Sequence, residues 1–360
     1  MSGRGKNIVL LAVTIVLTLA VSETALRLWH GISPLDFSNF RDRRAAHAGA
    51  IGFADLVGMI QYDSTLGWTL KDGLSMSEFH TVDYGIRRNS AGQAGVRPGN
   101  ILAVGPSTTL GLGVADEQTW PAQLEHLART PVDNAGEPGF ALDQTVLHAE
   151  QLLPLVRPRV LLVEFGSFGI KLSGQSATFG PKPFFTVADG SLRSQNIPVS
   201  LPAARHDPFE PIKAALGFSH LVDRVMTRID RDGWLSNSKE IMFRVRNNPD
   251  DVSCRLLQRL KAQTDKLEIR TILIFSSVAA EIKFVDELPE GARRVKQCAR
   301  ATGYQLVDVS AAFRADYKAI PKRLDENYLA GTHFSQLGNR RVAEMVAAAL
   351  EAEPAHAERR

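Results

Sequence analysis

Five short apolar runs, separated by segments with helical periodicity, constrain the fold of this chain more than any other feature. The runs are ILAV (101–104), PVDN (131–134), RVLLVEF (159–165), RTILIFSS (270–277) and QLVDVS (305–310). Brief apolar runs that do not alternate with polar residues are typical of parallel strands covered on both faces. The sequence therefore predicts an α/β domain with a doubly wound, five-stranded parallel sheet, whose ligands bind at the carboxyl ends of the strands.

Predicted helices alternate with these strands at 120–129, 145–155, 251–266, 291–302 and 337–352. The alternation defines a domain over 100–353, interrupted at about 171–250 by a stretch rich in proline, glycine and charge. That stretch is too long for a simple connection, so we expect an insertion beside the sheet. Its arginine-rich part, 224–246, alternates with acidic residues and is predicted to be a solvated helical face.

The segments on either side of the domain differ from it in composition. Residues 31–99 are mixed and turn-rich, with candidate short strands around TLGWTL and HTVDYGIRRN, and we expect this juxtamembrane segment to pack on the domain. Residues 354–360 form a charged tail that we expect to be disordered.

The amino terminus carries a membrane-directed segment. An uncharged apolar run of 14 residues, Ile8 to Val21, follows Arg4 and Lys6. The run is short for a membrane span, and the small residues at 20–22 form a tolerable cleavage pattern, so a removable signal peptide is one interpretation. A buried core helix is disfavoured, because the run has no polar face.

We favour an uncleaved single-pass anchor within residues 1–30. A helix that continues through Glu23 and Arg27 gains the missing length, pairs these two charges four residues apart, and places Trp29 at the membrane interface. The basic residues before the run keep the amino terminus in the cytoplasm. We therefore expect an inner-membrane protein whose domain, from Gly31 onward, faces the periplasm or the cell exterior.

Charge and cysteine content exclude several classes of partner. The formal net charge is only +3, from 42 Lys and Arg against 39 Asp and Glu, so nucleic acid is not an expected partner. The two cysteines, Cys254 and Cys298, have no neighbouring His or Cys at zinc-like spacing. We expect no metal and no cofactor, and a single Cys254–Cys298 disulfide stays open for an oxidising compartment.

Three segments place chemistry at the expected carboxyl edge of the sheet. Ser107 follows the first strand in VGPSTTLG, which matches neither a dinucleotide fingerprint, nor a phosphate loop, nor a nucleophile elbow. Gly136 and Gly139 lie in a tight loop where a backbone N–H suits an oxyanion, and His333 precedes the last helix. A serine needs a neighbouring imidazole to accept its proton, so the pair must meet in space. A helix cap at Ser107 and a solvated histidine remain the alternatives.

In this order, the segments resemble those of the SGNH (GDSL-type) hydrolases, in particular membrane-anchored members with a turn-rich segment before the domain. The resemblance covers most of the chain and rests on YDSTLGWTLKDG, DYGIRRNSAGQAG, GPSTTLGLGVADEQTWPAQLE, VDNAGEPGFALDQ, PKPFFTVADGSL and HFSQLGNRRVAE. It implies a flavodoxin-like three-layer α/β/α sandwich. It also implies ester hydrolysis or, in exported polymer systems, removal or transfer of O-acetyl groups on polysaccharides.

The resemblance assigns roles to individual residues. Ser107 matches the nucleophile, Gly136 the oxyanion glycine and His333 the base. In the third block, LLVEFGSFGI, the family's oxyanion asparagine is absent, and the hydroxyl of Ser167 is a candidate replacement.

Several supporting residues of the family are replaced here. Pro106 takes the place of the aspartate before the serine, and Phe168 and Gly169 take the places of the asparagine and its aspartate neighbour. The aspartate expected before the histidine falls on Gly331 or Ala330. Loss of one oxyanion donor typically costs about 10² to 10³ in turnover, and loss of the orienting aspartate up to ~10⁴.

Two functional hypotheses follow. The first is an exported, membrane-tethered acyl-ester hydrolase or O-acetyltransferase that acts on a cell-envelope glycan, or on another small acyl ester, through a Ser107–His333 dyad. The second is a catalytically inactive SGNH-like module that binds glycan or an envelope assembly partner. Retention of the serine and histidine favours the enzyme slightly.

Overall fold

The computed structural model describes residues 3–36, 40, 58–178, 180–199, 209–230, 234–235, 248–329 and 331–352. The chain divides into two units, a smaller one of residues 1–56 and 202–241 and a larger one of residues 57–201 and 242–360. The predicted tail 354–360 and most of the arginine-rich stretch 224–246 lie outside the described residues.

A five-stranded parallel sheet forms the centre of the larger unit. In chain order the strands are β1 (Ile60–Asp63), β2 (Gly67–Leu70), β3 (Ile101–Gly105), β4 (Val132–Gly136), β5 (Val160–Gly166), β6 (Phe184–Ala188), β7 (Ser191–Gln195), β8 (Arg270–Ser276), β9 (Gln305–Asp308), β10 (Tyr328–Leu329) and β11 (His333–Phe334). The sheet has the order β4-β3-β5-β8-β9, which is the flavodoxin-like order. All five predicted strands are present, and the predicted fold class is confirmed.

Helices follow the strands of the sheet. In chain order they are α1 (Gly3–Trp29), α2 (Ser107–Leu110), α3 (Trp120–Ala128), α4 (Leu142–Val156), α5 (Ser167–Leu172), α6 (Glu210–Leu216), α7 (His220–Ile229), α8 (Pro249–Lys266), α9 (Ala279–Phe284), α10 (Glu290–Ala301), α11 (Val309–Ala319), α12 (Lys322–Asn327) and α13 (Gln336–Glu351). The five predicted helices correspond to α3, α4, α8, α10 and α13.

The hydrophobic core lies between the sheet and these helices. On one face, Trp120, Phe313 and Val342 pack with strand residues such as Ile272 in one buried cluster. Each large apolar side chain buried in this way contributes about 1.5–3 kcal/mol relative to an exposed one. On α8 and α10, Cys254 and Cys298 form a disulfide, with their Cα atoms 5.9 Å apart.

The segments predicted to be irregular contain some regular structure. Strands β6 and β7 form an antiparallel hairpin within the predicted insertion, and β1 and β2 form another, which includes the GWTL of the first candidate strand. The second candidate, HTVDYGIRRN, is not a continuous strand. A 3-10 helix at Asp83–Gly85 interrupts it, because Tyr84 and Gly85 both have positive φ angles, 61° and 67°.

Helix α1 belongs to the smaller unit. Its residues Gly5–Trp29 have a mean hydropathy of 2.2 over the most apolar window, so this helix is long and apolar enough to cross a membrane. As predicted, the helix does not end with the apolar run at Val21 but continues to Trp29.

Candidate active site

Ser107 lies at the point where the sheet topology reverses direction. It directly follows β3 and is the first residue of α2, while Ser167 directly follows the adjacent strand β5. These strands are in register, with Val104 opposite Val163. In doubly wound sheets, ligands bind in the crevice between two such strand ends.

The structure brings Ser107 and His333 into hydrogen-bond contact. The distance from Ser107 Oγ to His333 Nε2 is 2.9 Å. His333 is placed by the β10–β11 hairpin, where it pairs with Leu329 across a tight turn that contains Gly331 at a φ of 79°. Pro106 is the N-cap residue of α2 and makes no side-chain cap. Ser107 is therefore the first helical residue and not the cap, and its hydroxyl contacts the imidazole.

The other ring nitrogen of His333 contacts a neutral group. Nδ1 lies 3.2 Å from Thr332 Oγ1. When the Ser107 hydroxyl donates to Nε2, the ring proton is on Nδ1 and donates to the threonine oxygen. Burial lowers the pKa of His333 below its ordinary value of 6.5, so the imidazole is neutral at pH 7 and is ready to accept a proton.

A carboxylate partner for the histidine is not found in the part of the chain that the structure describes. Gly331 offers no side chain at one of the two positions expected for the aspartate, and Ala330, the other, lies outside the described residues. Phe168, at the position of the family's asparagine, directs its ring outward and is 64% exposed. The site therefore has a serine and a histidine in contact without the usual acidic third member.

Gly136 is engaged in a local hydrogen bond that sequence reasoning did not anticipate. Its N–H donates to Asn134 Oδ1 at 3.1 Å, so it is not free to face an oxyanion in this structure. A Cβ atom at this position would lie 2.1 Å from the backbone nitrogen of Leu110. Glycine is therefore needed so that α2 can pack closely on the end of β4. The expected tight loop begins only after Gly136, which ends β4; Gly139 lies in that loop, has a φ of 71° and is only partly buried.

The hydroxyl of Ser167 differs from the N–H of Gly136 in its surroundings. Its Oγ is buried and has no hydrogen-bond partner within the described residues. Buried hydroxyls are usually paired, so an unpaired one at the end of β5 is unusual. The candidate oxyanion donor of the sequence analysis is thus a hydroxyl without a competing partner.

A buried carboxylate, Glu164, holds the elements behind the serine together. It accepts hydrogen bonds from Thr109 Oγ1 on α2, from Trp120 Nε1 on α3 at 3.2 Å, and from Ser276 Oγ on β8 at 2.7 Å. Burial raises the pKa of Glu164. An acidic residue within a strand otherwise made of apolar residues was the only available sequence signal for this contact.

A buried guanidinium completes the support of α2 from the other side. Arg87, in the segment before the sheet, is 1% exposed and donates to the carbonyl oxygens of Leu110 and Gly111 at 2.9 and 2.7 Å. Its Nε donates to Asp116, which also accepts from His80 Nδ1 at 2.7 Å. Arg87 therefore satisfies carbonyls at the end of α2 that the helix itself leaves open.

A metal site is not present in the described part of the chain, where no group of three or more His, Cys, Asp or Glu side chains has a suitable arrangement. The expectation that no cofactor is used stays a prediction.

Comparison with known proteins finds solved structures that are similar to this one. No family model and no curated protein matches the sequence. The structure is similar to that of the acetyl xylan esterase AlAXEase, with a TM-score of 0.41 and 14% identity over 69% of this chain and 98% of that chain. It is also similar to a putative lipolytic protein of the G-D-S-L family from Desulfitobacterium hafniense DCB-2, with a TM-score of 0.37, 11% identity, and coverage of 69% and 97%.

A third similar structure is the lipase/acylhydrolase from Enterococcus faecalis, with a TM-score of 0.38 and 13% identity over 69% of this chain and 94% of that chain. With its five-stranded parallel sheet in the flavodoxin-like order and helices flanking it, this chain has the predicted flavodoxin-like α/β fold.

Proposed function

We propose that this protein is a membrane-tethered acyl-ester hydrolase or O-acetyltransferase whose catalytic residues are Ser107 and His333. The observation that carries the proposal is the 2.9 Å contact between Ser107 Oγ and His333 Nε2 at the switch point of the sheet. This distance is within the range over which a base removes a proton.

The chemistry proceeds in two halves. Ser107 attacks the acyl carbonyl while its proton passes to His333 Nε2, and the resulting imidazolium returns that proton to the leaving alcohol. Water, or the hydroxyl of an acceptor in the transfer reaction, then attacks the acyl-serine with the same histidine as base. Ser167 Oγ is our candidate donor to the oxyanion, because no other group in the described structure accepts its proton.

The missing carboxylate predicts a slow enzyme. Thr332 orients the ring through Nδ1 but carries no charge with which to stabilise the imidazolium. Loss of the acidic member of a triad reduces turnover by up to ~10⁴, and the oxyanion donors alone retain part of the rate enhancement. We therefore expect measurable but low ester turnover.

The substrate and the location follow from the resemblance and from α1. We propose an acylated cell-envelope glycan as substrate, since exported, anchored members of the resembled family act on such polymers. We also propose that α1 crosses the inner membrane once and that the larger unit faces the periplasm or the cell exterior, because Arg4 and Lys6 precede the apolar run.

A second function, an inactive binding module, is favoured by one observation. Phe168 presents an exposed ring beside Ser167, where the family has a donor. An exposed aromatic face suits contact with the apolar face of a sugar ring. In that case the crevice binds glycan or an assembly partner without turnover.

The test is hydrolysis of 4-nitrophenyl acetate by the full chain in detergent, compared with Ser107→Ala and His333→Ala. Exposed residues of the same types provide the matched controls, Ser191→Ala and His126→Ala. We expect both site variants to lose the activity and both controls to keep it. Folded protein without activity would reject the hydrolase and favour the binding module, whereas activity that survives Ser107→Ala would reject Ser107 as the nucleophile and with it the proposed dyad.

A further inference from the structure

The last turns of α1 are joined to the beginning of α7 by hydrogen bonds to a partly buried ion pair within α1. Arg27 is 3% exposed and donates from Nε to Glu23 Oε1 at 2.5 Å and from Nη2 to the carbonyl oxygen of Phe218 at 2.5 Å. The Glu23 carboxylate caps α7, since it accepts hydrogen bonds from Ser219 Oγ, His220 N and Leu221 N at 2.8, 2.6 and 2.8 Å. These bonds satisfy both charges and fix the start of α7 to the end of α1.

Helix α7 has one apolar stripe, whose two sides have different surroundings. Val222 and Met226 pack on the small cluster of Phe40, Trp234 and Leu235. Val225 and Ile229, one turn apart on the same stripe, are 48% and 72% exposed. Part of the stripe is therefore packed inside the smaller unit, and the rest is exposed.

Helix α6 also exposes apolar side chains. Ile212 and Leu216 are four residues apart, so they lie on one face of the helix, and both are about half exposed. We use the name apolar surface of the smaller unit for the exposed side chains of Ile212, Leu216, Val225 and Ile229. Arg224 and Arg228 are exposed beside the apolar stripe of α7. Apolar side chains flanked by arginines are typical of helices that lie in a lipid–water interface rich in anionic lipids.

The ion pair also ties α7 to the end of the apolar run of α1. At about 1.5 Å of rise per residue, Glu23 lies about 3 Å and Arg27 about 9 Å beyond Val21, where the run ends. Long charged side chains at the end of a membrane span reach the headgroup region. The start of α7, which is hydrogen-bonded to Glu23 and Arg27, lies at the same end of the span.

We propose that α6 and α7 lie in the headgroup region of the bilayer, with the apolar surface of the smaller unit in contact with lipid. This inference rests on the proposed tether and extends it. The anchor then consists of the membrane-spanning helix α1 and two interfacial helices, α6 and α7, at its end. The alternative is that a protein partner, and not lipid, covers this surface.

The test uses the full chain in nanodiscs of phosphatidylglycerol and phosphatidylcholine, with one fluorophore on an introduced cysteine. The test variants are Leu216→Cys and Ile229→Cys, Leu17→Cys reports on the span, and Ser191→Cys on the exposed β6–β7 hairpin is the aqueous reference. The native cysteines are paired in the disulfide and do not compete for the label. All four positions are exposed or partly exposed, so labels there are compatible with the fold.

We expect labels at 216 and 229 to be quenched by lipids that carry a nitroxide near the headgroup, and about threefold less by aqueous iodide than the label at 191. If the label at 17 is quenched by lipid while those at 216 and 229 respond to iodide like the reference, the interfacial inference fails and the tether stands. If the label at 17 is also open to iodide, the tether fails, and the inference fails with it.

Discussion

Removal of the Glu164 carboxylate tests how much of the site's geometry depends on buried hydrogen bonds. Glu164→Ala leaves three donors, on Thr109, Trp120 and Ser276, without their acceptor. Each unsatisfied buried donor costs about 1–3 kcal/mol. With three donors left unpaired, we therefore expect the free energy of unfolding to fall by at least about 3 kcal/mol.

Glu164→Gln separates the hydrogen bonds from the charge. The amide keeps one acceptor oxygen but turns its NH₂ group towards at least one donor, so we expect a smaller loss, about 1–2 kcal/mol. The assay is urea unfolding of the full chain in detergent, followed by tryptophan fluorescence. Glu150→Ala is the matched control, because the partner of its carboxylate among the described residues is the half-exposed Arg259, and ion pairs open to solvent contribute about 0–1 kcal/mol.

The pH dependence of the free energy of unfolding provides a second measurement on Glu164→Gln. Burial raises the pKa of Glu164 above its ordinary value of 4.5, so the folded state binds this proton more tightly than the unfolded state does. The stability that this tighter proton binding contributes is fully present below pH 4.5 and is lost as pH rises through the raised pKa of the folded state. Glu164→Gln should therefore show a smaller decline in stability above pH 4.5. A Glu164→Ala loss no larger than that of Glu150→Ala would refute the reasoning.

Four further predictions follow. The lowered pKa of His333 places the acid limb of the ester-hydrolysis pH profile below pH 6.5, and a limb above that value would contradict it. Thr332→Val should lower kcat about tenfold with little change in KM, since it removes only the acceptor at Nδ1. Lys182→Met strands the fully buried Asp143 and should cost about 3–5 kcal/mol in urea unfolding, whereas a loss under 1 kcal/mol would show that the pair is solvated. Cys254→Ser opens a bridge that spans 44 residues and should cost about 4 kcal/mol, a loss that dithiothreitol should reproduce in the unaltered chain.

The sheet could be predicted because its signal is local. Uninterrupted runs such as RTILIFSS have few alternatives to a buried strand, and the observed bounds of β8, Arg270–Ser276, fall inside that run. The juxtaposition of Ser107 and His333, 226 residues apart, was also accessible, because both follow from placing loops at one edge of a parallel sheet.

The side-chain contacts of the site could not be predicted in the same way. Asn134 accepts from the N–H of Gly136 within β4, through a side-chain conformation that the letters NAG do not specify. Thr332 occupies Nδ1 of His333 only because a hairpin folds back at Gly331. Such contacts depend on tertiary placement to within an ångström, and hydrophobic patterns carry no information at that scale.

The guanidinium of Arg87 has a consequence for where the working protein begins. Its bonds to the carbonyls of Leu110 and Gly111 mean that the helix beginning at Ser107 is completed by a residue encoded ahead of the first sheet strand. A shortened protein starting at residue 100 would contain every strand of the sheet and both Ser107 and His333, yet these carbonyls would lose the bonds from the guanidinium. The part of the chain that this site needs is therefore longer than the α/β domain. A truncated protein, or a chimera that takes over this domain, has to keep the preceding segment as well.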